Sequence, residues 1–156
     1  MKITYEQPAK GDKPALQYDV EASFSLHCFT KGIGVNEQLD KDLLYSDSRE
    51  TRIFDFRRYE LSKRLPEIVR NLPTQKCYNT GKGNFFSVVV VGDDGQQVEY
   101  NIFFEASRST RKGLVLFVQS AYVRDAQHSS RPQAKPIRFD VILFNILNNK
   151  PIRMPQ

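Results

Sequence analysis

The chain has 156 residues, of which 40% are hydrophobic, and a formal net charge of +5. This length predicts a single domain with a sizeable core. No apolar stretch reaches the roughly 18 to 20 residues that cross a bilayer, and the first residues lack the apolar segment of a signal peptide. We therefore expect a soluble, cytoplasmic protein without a membrane partner. Cys28 and Cys77 lack CxxC spacing, which predicts reduced thiols, and we predict neither a metal site nor a cofactor.

Two segments hold the excess of positive charge. Residues 49–76 contain 8 Lys and Arg against 4 Asp and Glu, and residues 108–138 contain 7 against 1. Both segments are rich in arginine, whose planar guanidinium group binds phosphates. This pattern predicts an acidic polymer, RNA or another nucleic acid, as the partner. The alternative is that these residues only keep the protein soluble.

The first predicted element is a strand over residues 16–30, "LQYDVEASFSLHCFT". Its alternation places apolar side chains from Tyr18 to Cys28 on one face, and polar side chains that include His27 on the other. The next segment, residues 31–50, has two glycines and little periodicity. We predict a loop there, with one short helical turn.

A helical segment follows at residues 54–72. Leu61, Leu65, Ile68 and Leu72 recur at helical spacing, but a proline within an α-helix removes a hydrogen bond and clashes with the preceding turn. Pro66 therefore predicts two helical pieces, the second with proline in its first turn.

From residue 84 the hydrophobic period changes to two. "NFFSVVVVG" and "VEYNIFFEAS" flank an Asp-Gly turn in "DDGQQ", and "KGLVLFVQSAYVRD" supplies a third strand. The last element, residues 136–151, fits a strand or a helix, and the spacing of its apolar residues favours a helix. The predicted fold is α+β, a single domain over residues 1–156, in which an antiparallel meander packs against one or two helices.

The third meander strand changes character along its length. Alternation predicts that its apolar residues share a face with Ser120, Tyr122 and Arg124. A strand that is apolar at its start and polar at its end predicts a cleft where these three side chains converge.

A basic helix followed by this meander resembles the RelE and barnase–EndoU–colicin group of small ribonucleases, over residues 55–125. The resemblance implies a metal-free RNA-cleaving site on the sheet and, for toxins of toxin–antitoxin pairs, a cognate antitoxin. The matching positions are Ser120, Tyr122 and Arg124, with Arg108 or Arg111 at the preceding turn and Lys82 near the first strand.

Metal-free RNA cleavage needs a base, an acid and cations that stabilise charge on the phosphorane. His27 is the candidate for proton transfer, because imidazole titrates near neutral pH. Arg124 would clamp the phosphate, Tyr122 would contact a base or phosphate, and Ser120 would orient these groups. The predicted substrate-binding residues are the cations Arg57, Arg58, Arg64, Lys82, Arg108 and Arg111.

Each assignment has an alternative. His27 fits a surface position on a sheet edge, Tyr122 fits a core aromatic residue, and Arg124 fits an ordinary surface ion pair. The predicted function is a metal-independent endoribonuclease of toxin or phage-defence type. The alternatives are a non-enzymatic module that binds nucleic acid or docks on a larger protein complex, and a small-molecule binding domain.

Overall fold

A computed structural model describes residues 1–82, 85–91, 99–123 and 135–153. The strands in these ranges are β1 (Lys2–Gln7), β2 (Leu16–Phe24), β3 (Thr30–Lys31), β4 (Leu44–Ser46), β5 (Thr51–Phe54), β6 (Cys77–Asn79), β7 (Phe85–Val91), β8 (Glu99–Arg108) and β9 (Leu114–Val123). The α-helices are α1 (Phe56–Ser62), α2 (Leu65–Arg70) and α3 (Phe139–Leu147). Within the described ranges, none of the helices is long and apolar enough to cross a membrane.

The strands form a six-stranded sheet of order β1-β2-β9-β8-β7-β6 and a three-stranded sheet of order β3-β5-β4. The predicted α+β class and the β7-β8-β9 meander are confirmed. The larger sheet is mixed rather than antiparallel, because β2 pairs with β9 in parallel. Parallel neighbours need a crossover connection, and here the small sheet and the helices α1 and α2 lie within the chain between β2 and β9.

One face of the larger sheet forms the core with α3. Phe139 opens this helix and packs edge-on against Tyr5 of β1 at 5.0 Å and Phe104 of β8 at 6.1 Å, measured between ring centroids. The buried residues of α3 recur at helical spacing: Phe139, Ile142, Leu143 and Ile146. The helix favoured for the last element is therefore confirmed.

The proline break is also confirmed. Helix α1 ends at Ser62, α2 begins at Leu65, and Pro66 lies in the first turn of α2. Asp55 caps α1, because its side chain accepts a hydrogen bond from the backbone N–H of Arg58 at 2.9 Å.

The strand predicted over residues 16–30 is too long, since β2 ends at Phe24. The side chain of Ser25 accepts a hydrogen bond from the backbone N–H of His27 and starts a 3-10 turn over Leu26–Cys28. His27 therefore lies on this turn and not on a strand face. Cys28 is buried, and its thiol lies 3.7 Å from the carbonyl oxygen of Val118.

The segment 31–50 contains the predicted short helical turn, a 3-10 turn over Lys41–Leu43. It also contains β4, which pairs with β5, and β5 pairs in turn with β3. This small sheet was not predicted, and neither was β1. The strands of the small sheet have two to four residues and do not sustain an alternation that a sequence can reveal. Strand β1 has six residues and does alternate, so its signal was available and was overlooked.

A β-bulge interrupts the pairing of β8 with β9. Phe103 lies opposite Ser120 and Phe104 lies opposite Val118, so Gln119 is an extra residue on β9. Such an insertion reverses the alternation of the side chains that follow it.

The bulge corrects the predicted face of β9. Leu116 and Val118 point into the core before it, and Ala121 does so after it. Ser120 and Tyr122 consequently lie on the opposite face from the apolar residues with which the alternation had grouped them. Arg124 and the "DDGQQ" turn lie outside the described residues.

Candidate functional site

Five aromatic side chains form a cluster of ring contacts at the small sheet and the start of α1. Phe54 is central, with ring centroids 5.0 Å from Phe56, 5.2 Å from Tyr59, 5.9 Å from Tyr45 and 6.2 Å from Phe29. The rings of Phe29 and Tyr45 also meet edge-on at 5.3 Å. We call this group, Phe29, Tyr45, Phe54, Phe56 and Tyr59, the aromatic surface.

Local geometry explains why these rings meet. Alternation along β5 turns Ile53 into the protein, where it is buried, and Phe54 to the other side. The capped helix α1 begins directly after β5 and carries Phe56 and Tyr59 three residues apart, so that both lie on one side of the helix.

The aromatic surface is open to solvent. Phe56 is 66% exposed, Tyr45 44% and Tyr59 41%. The segment that follows β3 also has two exposed aliphatic side chains, Val35 and Leu39. Large exposed apolar patches mark interaction or ligand-binding sites, so the aromatic surface is a candidate interaction site. Sequence reasoning missed it, although four aromatic residues within positions 45–59 of a charged segment were an available signal.

Two arginines close to the aromatic surface bind the protein's own backbone and side chains. Arg52 donates from Nε to Thr30 Oγ1 at 2.9 Å, and its Nη1 lies 3.3 Å from a carboxylate oxygen of Glu50. Arg58 donates from Nη1 to the carbonyl oxygen of Thr30 at 2.8 Å. Both guanidinium groups thus fasten β3 to β5 and α1.

Two lysines of the same region are engaged in ion pairs. Lys63 binds Glu60 at 2.8 Å and lies 4.8 Å from the ring centroid of Tyr59. Lys31 binds Glu37 at 3.0 Å. These four cations are therefore engaged within the chain, whereas Arg57 of α1 is exposed.

His27 contacts a carboxylate on the neighbouring segment. Its Nε2 atom bonds Oε1 of Glu50, and Oε2 of the same carboxylate accepts a hydrogen bond from Nη1 of Arg52. The bond from His27 is the main reason that the pKa of Glu50 lies below its usual value. A carboxylate that holds an imidazole ring in one orientation is the arrangement from which acid–base sites are built.

Arg58 contacts both the ring of Tyr122 and the backbone of His27. The Tyr122 ring stacks on Phe103 at 5.6 Å, and the guanidinium carbon of Arg58 lies 5.6 Å from the Tyr122 centroid. Arg58 also approaches the carbonyl oxygen of His27 at 3.4 Å. Ser120 lies opposite Phe103 and so borders the same group. Ser120 and Tyr122 thus share one face of β9, and Arg58 links Tyr122 to the backbone of His27, while Arg124 is outside the described residues.

The predicted substrate-binding cations do not form one group. Arg58 contacts Tyr122 near the end of β9, whereas Arg111 precedes the start of β9 at Leu114. Eight residues of strand separate these ends by roughly 26 Å. Arg57 and Lys82 are exposed and Arg64 is partly buried. Arg58 of the first basic segment and Arg111 of the second thus lie at opposite ends of β9.

Arg111 lines a cleft of about 400 Å³ beside β1 and β2, together with Lys2, Lys112, Asp19 and other residues. Gly113 holds the turn against β2: its φ is +85°, and a Cβ atom there would lie 2.5 Å from the carbonyl oxygen of Asp19. Exposed Arg108 ends β8 just before this turn.

The reactive groups of the interior are not activated. Burial raises the pKa of both thiols, Cys28 and Cys77, to about 12, which keeps them protonated and unreactive. Burial also raises the pKa of Tyr100, whose hydroxyl has no hydrogen-bond partner among the described residues. In the same ranges, no three His, Cys, Asp or Glu side chains are grouped so that they could hold a metal ion.

These features define an α+β domain with an exposed aromatic surface beside a six-stranded mixed sheet. The YjaZ family model matches residues 1–147. The chain is also 33% identical over 156 residues to Protein YjaZ of Escherichia coli (strain K12), an alignment that covers 99% of this chain and 84% of that protein. The chain therefore belongs to the YjaZ family. No solved structure matches it.

The family assignment shows that the resemblance to the RelE and barnase–EndoU–colicin ribonucleases is wrong. The YjaZ match extends over nearly the whole chain, whereas the resemblance rested on the order of a basic helix and a meander. Here the meander is one part of a larger sheet, to which β2 adds in parallel. An order of elements that many folds share does not identify a family.

Proposed function

We propose that the protein is a non-enzymatic interaction module, which binds an apolar segment of a partner protein on the aromatic surface. The observation that carries this proposal is the ring cluster around Phe54, which leaves Phe56 mostly in water. Of the functions expected from the sequence, this is the protein-interaction alternative, with a larger protein complex as the partner.

The composition of the aromatic surface suits a protein partner. Aromatic side chains bury a large area with little loss of conformational entropy, and they dominate the energetics of many interfaces. Aliphatic side chains of a partner bury apolar area when they pack against exposed aromatic rings. The ion pairs Lys63–Glu60 and Lys31–Glu37 supply the polar rim that such interfaces have.

The same charges argue against nucleic acid at this surface. Phosphate binding needs cations that are free to replace counterions. Four cations of this region, Arg52, Arg58, Lys63 and Lys31, already bind oxygen atoms of the protein. We propose the cytoplasm as the compartment of this function, and the two free, buried cysteines support it.

A peptide selection tests the proposal. Peptides from a random displayed library would be selected on the wild-type protein, synthesised, and their dissociation constants measured by fluorescence anisotropy. We expect aliphatic-rich peptides that Phe56→Ala binds at least about tenfold more weakly. Phe117→Ala is the matched control, since Phe117 is a half-exposed ring on the larger sheet. A selection that enriches no peptide, or peptides that bind Phe56→Ala as tightly as wild type, would overturn the proposal.

A metal-independent endoribonuclease is a second proposal, favoured by the contacts of Arg58 with the Tyr122 ring and with the backbone carbonyl oxygen of His27. Glu50 would orient the imidazole for proton transfer. The test is incubation of the purified protein with mixed RNA in EDTA. Fragments produced by the wild-type protein but not by His27→Ala would support cleavage, and intact RNA in both samples would rule it out. RNA and an antitoxin remain expected partners only under this second proposal.

A further inference from the structure

Strand β1 forms one edge of the six-stranded sheet and pairs only with β2 among the described strands. Met1 and Ala22 exchange two hydrogen bonds, at 2.8 and 2.7 Å. Residues of an antiparallel strand bond alternately to one side and the other. The backbone N–H and C=O groups of Lys2, Thr4 and Glu6 therefore point away from β2.

This edge is open. The side chains of Lys2, Thr4 and Glu6 are exposed, and within the described ranges no backbone hydrogen bond reaches their outward groups. Proteins usually protect such an edge with a bulge, a proline, charged side chains or a covering element, because an unpaired edge accepts another strand. Lys2 and Glu6 are such charges, and they oppose pairing only where like charges meet. The first proline is Pro8, just beyond the end of β1.

The sequence of β1, "KITYEQ", is complementary to itself in one register. If a second copy pairs antiparallel about a two-fold axis at Thr4, Lys2 lies opposite Glu6 of that copy and Glu6 lies opposite its Lys2. Directly opposed residues point to the same face of a sheet, and opposite charges there stabilise the pair. Ile3 then lies opposite Tyr5 on the core side.

The backbone supports the same register. Each outward residue of one copy meets an outward residue of the other, so the pairs Lys2 with Glu6, Thr4 with Thr4 and Glu6 with Lys2 each exchange two hydrogen bonds. Other pairing registers of the two β1 strands, which place Lys2 opposite Lys2 or Glu6 opposite Glu6, bring like charges together and are disfavoured. Pro8 ends the ladder, because it has no N–H to donate.

From these features we infer that the protein forms a symmetric homodimer through β1, which joins the two six-stranded sheets edge to edge. The occupant of the edge is a second copy, since the charges of β1 match its own charges in this register. The dimer is independent of the aromatic surface, which involves neither β1 nor β2.

Charge reversal tests the dimer. Dissociation constants would be measured by sedimentation equilibrium for wild type, Lys2→Glu, Glu6→Lys and the double variant Lys2→Glu/Glu6→Lys. Each single variant opposes like charges twice, and we expect its homodimer to be at least about tenfold weaker. The double variant restores both opposite pairs and should dimerise like wild type. An equal mixture of the two single variants should give a heterodimer, in which every opposed pair again carries opposite charges.

Two further variants of the protein complete the test. Lys76→Glu makes the same change of charge at the other edge of the sheet, where Cys77 is bridged to Ile137, and it should dimerise like wild type. Thr4→Pro removes the outward N–H group at the axis and should dimerise weakly while it keeps its circular dichroism spectrum. A monomeric wild-type protein at the highest concentration studied, or single variants that dimerise as tightly as wild type, would overturn the inference. Failure of the mixture to form a heterodimer would also overturn it.

Discussion

The core and the aromatic surface use similar ring contacts in opposite surroundings. Phe86 and Phe104 stack at 5.6 Å on the larger sheet and are fully buried. Phe54 and Phe56 meet at 5.0 Å on the small sheet, and Phe56 is mostly exposed. Helix α3 covers the first pair through Phe139, whereas Phe56 stays open to solvent. The comparison teaches that a ring contact alone does not reveal a role. The covering element decides whether the ring stabilises the fold or remains available to a partner.

The largest expected effect is in the core. Phe104→Ala removes a fully buried ring that contacts Phe86 and Phe139, and we expect the free energy of unfolding to fall by about 3 to 5 kcal/mol. Equilibrium unfolding in urea measures this loss. A loss below about 1 kcal/mol would show that the core can close around the cavity. Buried rings of the core would then stabilise the fold no more than exposed rings of the aromatic surface do.

An intermediate effect is expected where α1 joins the small sheet. Asp55→Ala removes the cap that accepts the N–H of Arg58, and it should lower the free energy of unfolding by about 1 kcal/mol. Asp55→Asn is the control, because asparagine also caps helices. If both variants are equally unstable, the carboxylate has a role other than capping.

A smaller effect is expected on the aromatic surface. Phe56→Ala should change the free energy of unfolding by no more than about 0.5 kcal/mol, because an exposed ring has little packing to lose. The same urea experiment measures it beside Phe104→Ala. A loss above about 2 kcal/mol would place Phe56 with the core rings and remove the contrast.

The smallest effect concerns acid stability near the small sheet. His27 lowers the pKa of Glu50 in the folded protein, so the ionised carboxylate favours folding. This contribution is complete above the usual carboxyl pKa of 4.5 and is lost as the pH falls through the lowered value. Thermal melting between about pH 5 and about pH 3 should therefore show a shallower acid decline for Glu50→Gln than for wild type. Identical declines would mean that this contact adds no stability in solution.

The sequence predicted the elements whose patterns are long or have a local chemical signal. Proline at position 66 marked the helix break, and sustained apolar spacing marked the meander and α3. It did not predict the small sheet, whose strands are too short to show a period. It also could not predict the bulge at Gln119, because an inserted residue leaves the sequence alternation intact while it turns the later side chains over.

The candidate site was predicted only in part. His27 and Tyr122 stood out by their chemistry, and one guanidinium group contacts the ring of Tyr122 and the backbone oxygen of His27. The arginine that joins them, Arg58, was predicted to bind substrate, yet it donates to backbone carbonyls. Which cations are engaged depends on tertiary contacts, and these cannot be read from charge counts. The aromatic surface was missed although four of its five rings lie within positions 45–59, because their exposure depends on tertiary structure.

The parallel pairing of β2 with β9 also sets an order for folding. Val20 aligns with Leu114, so most of the chain lies between two strands that must meet. Contacts between residues so distant in sequence form slowly, because closing the intervening loop costs entropy before any contact compensates for it. During synthesis, β1 and β2 emerge before β9. The apolar face of the β1–β2 hairpin is therefore exposed to solvent until β9 has been synthesised. A chain that stops before residue 114 has no strand on which to seat this hairpin, so truncated products should aggregate or be degraded rather than persist as folded fragments.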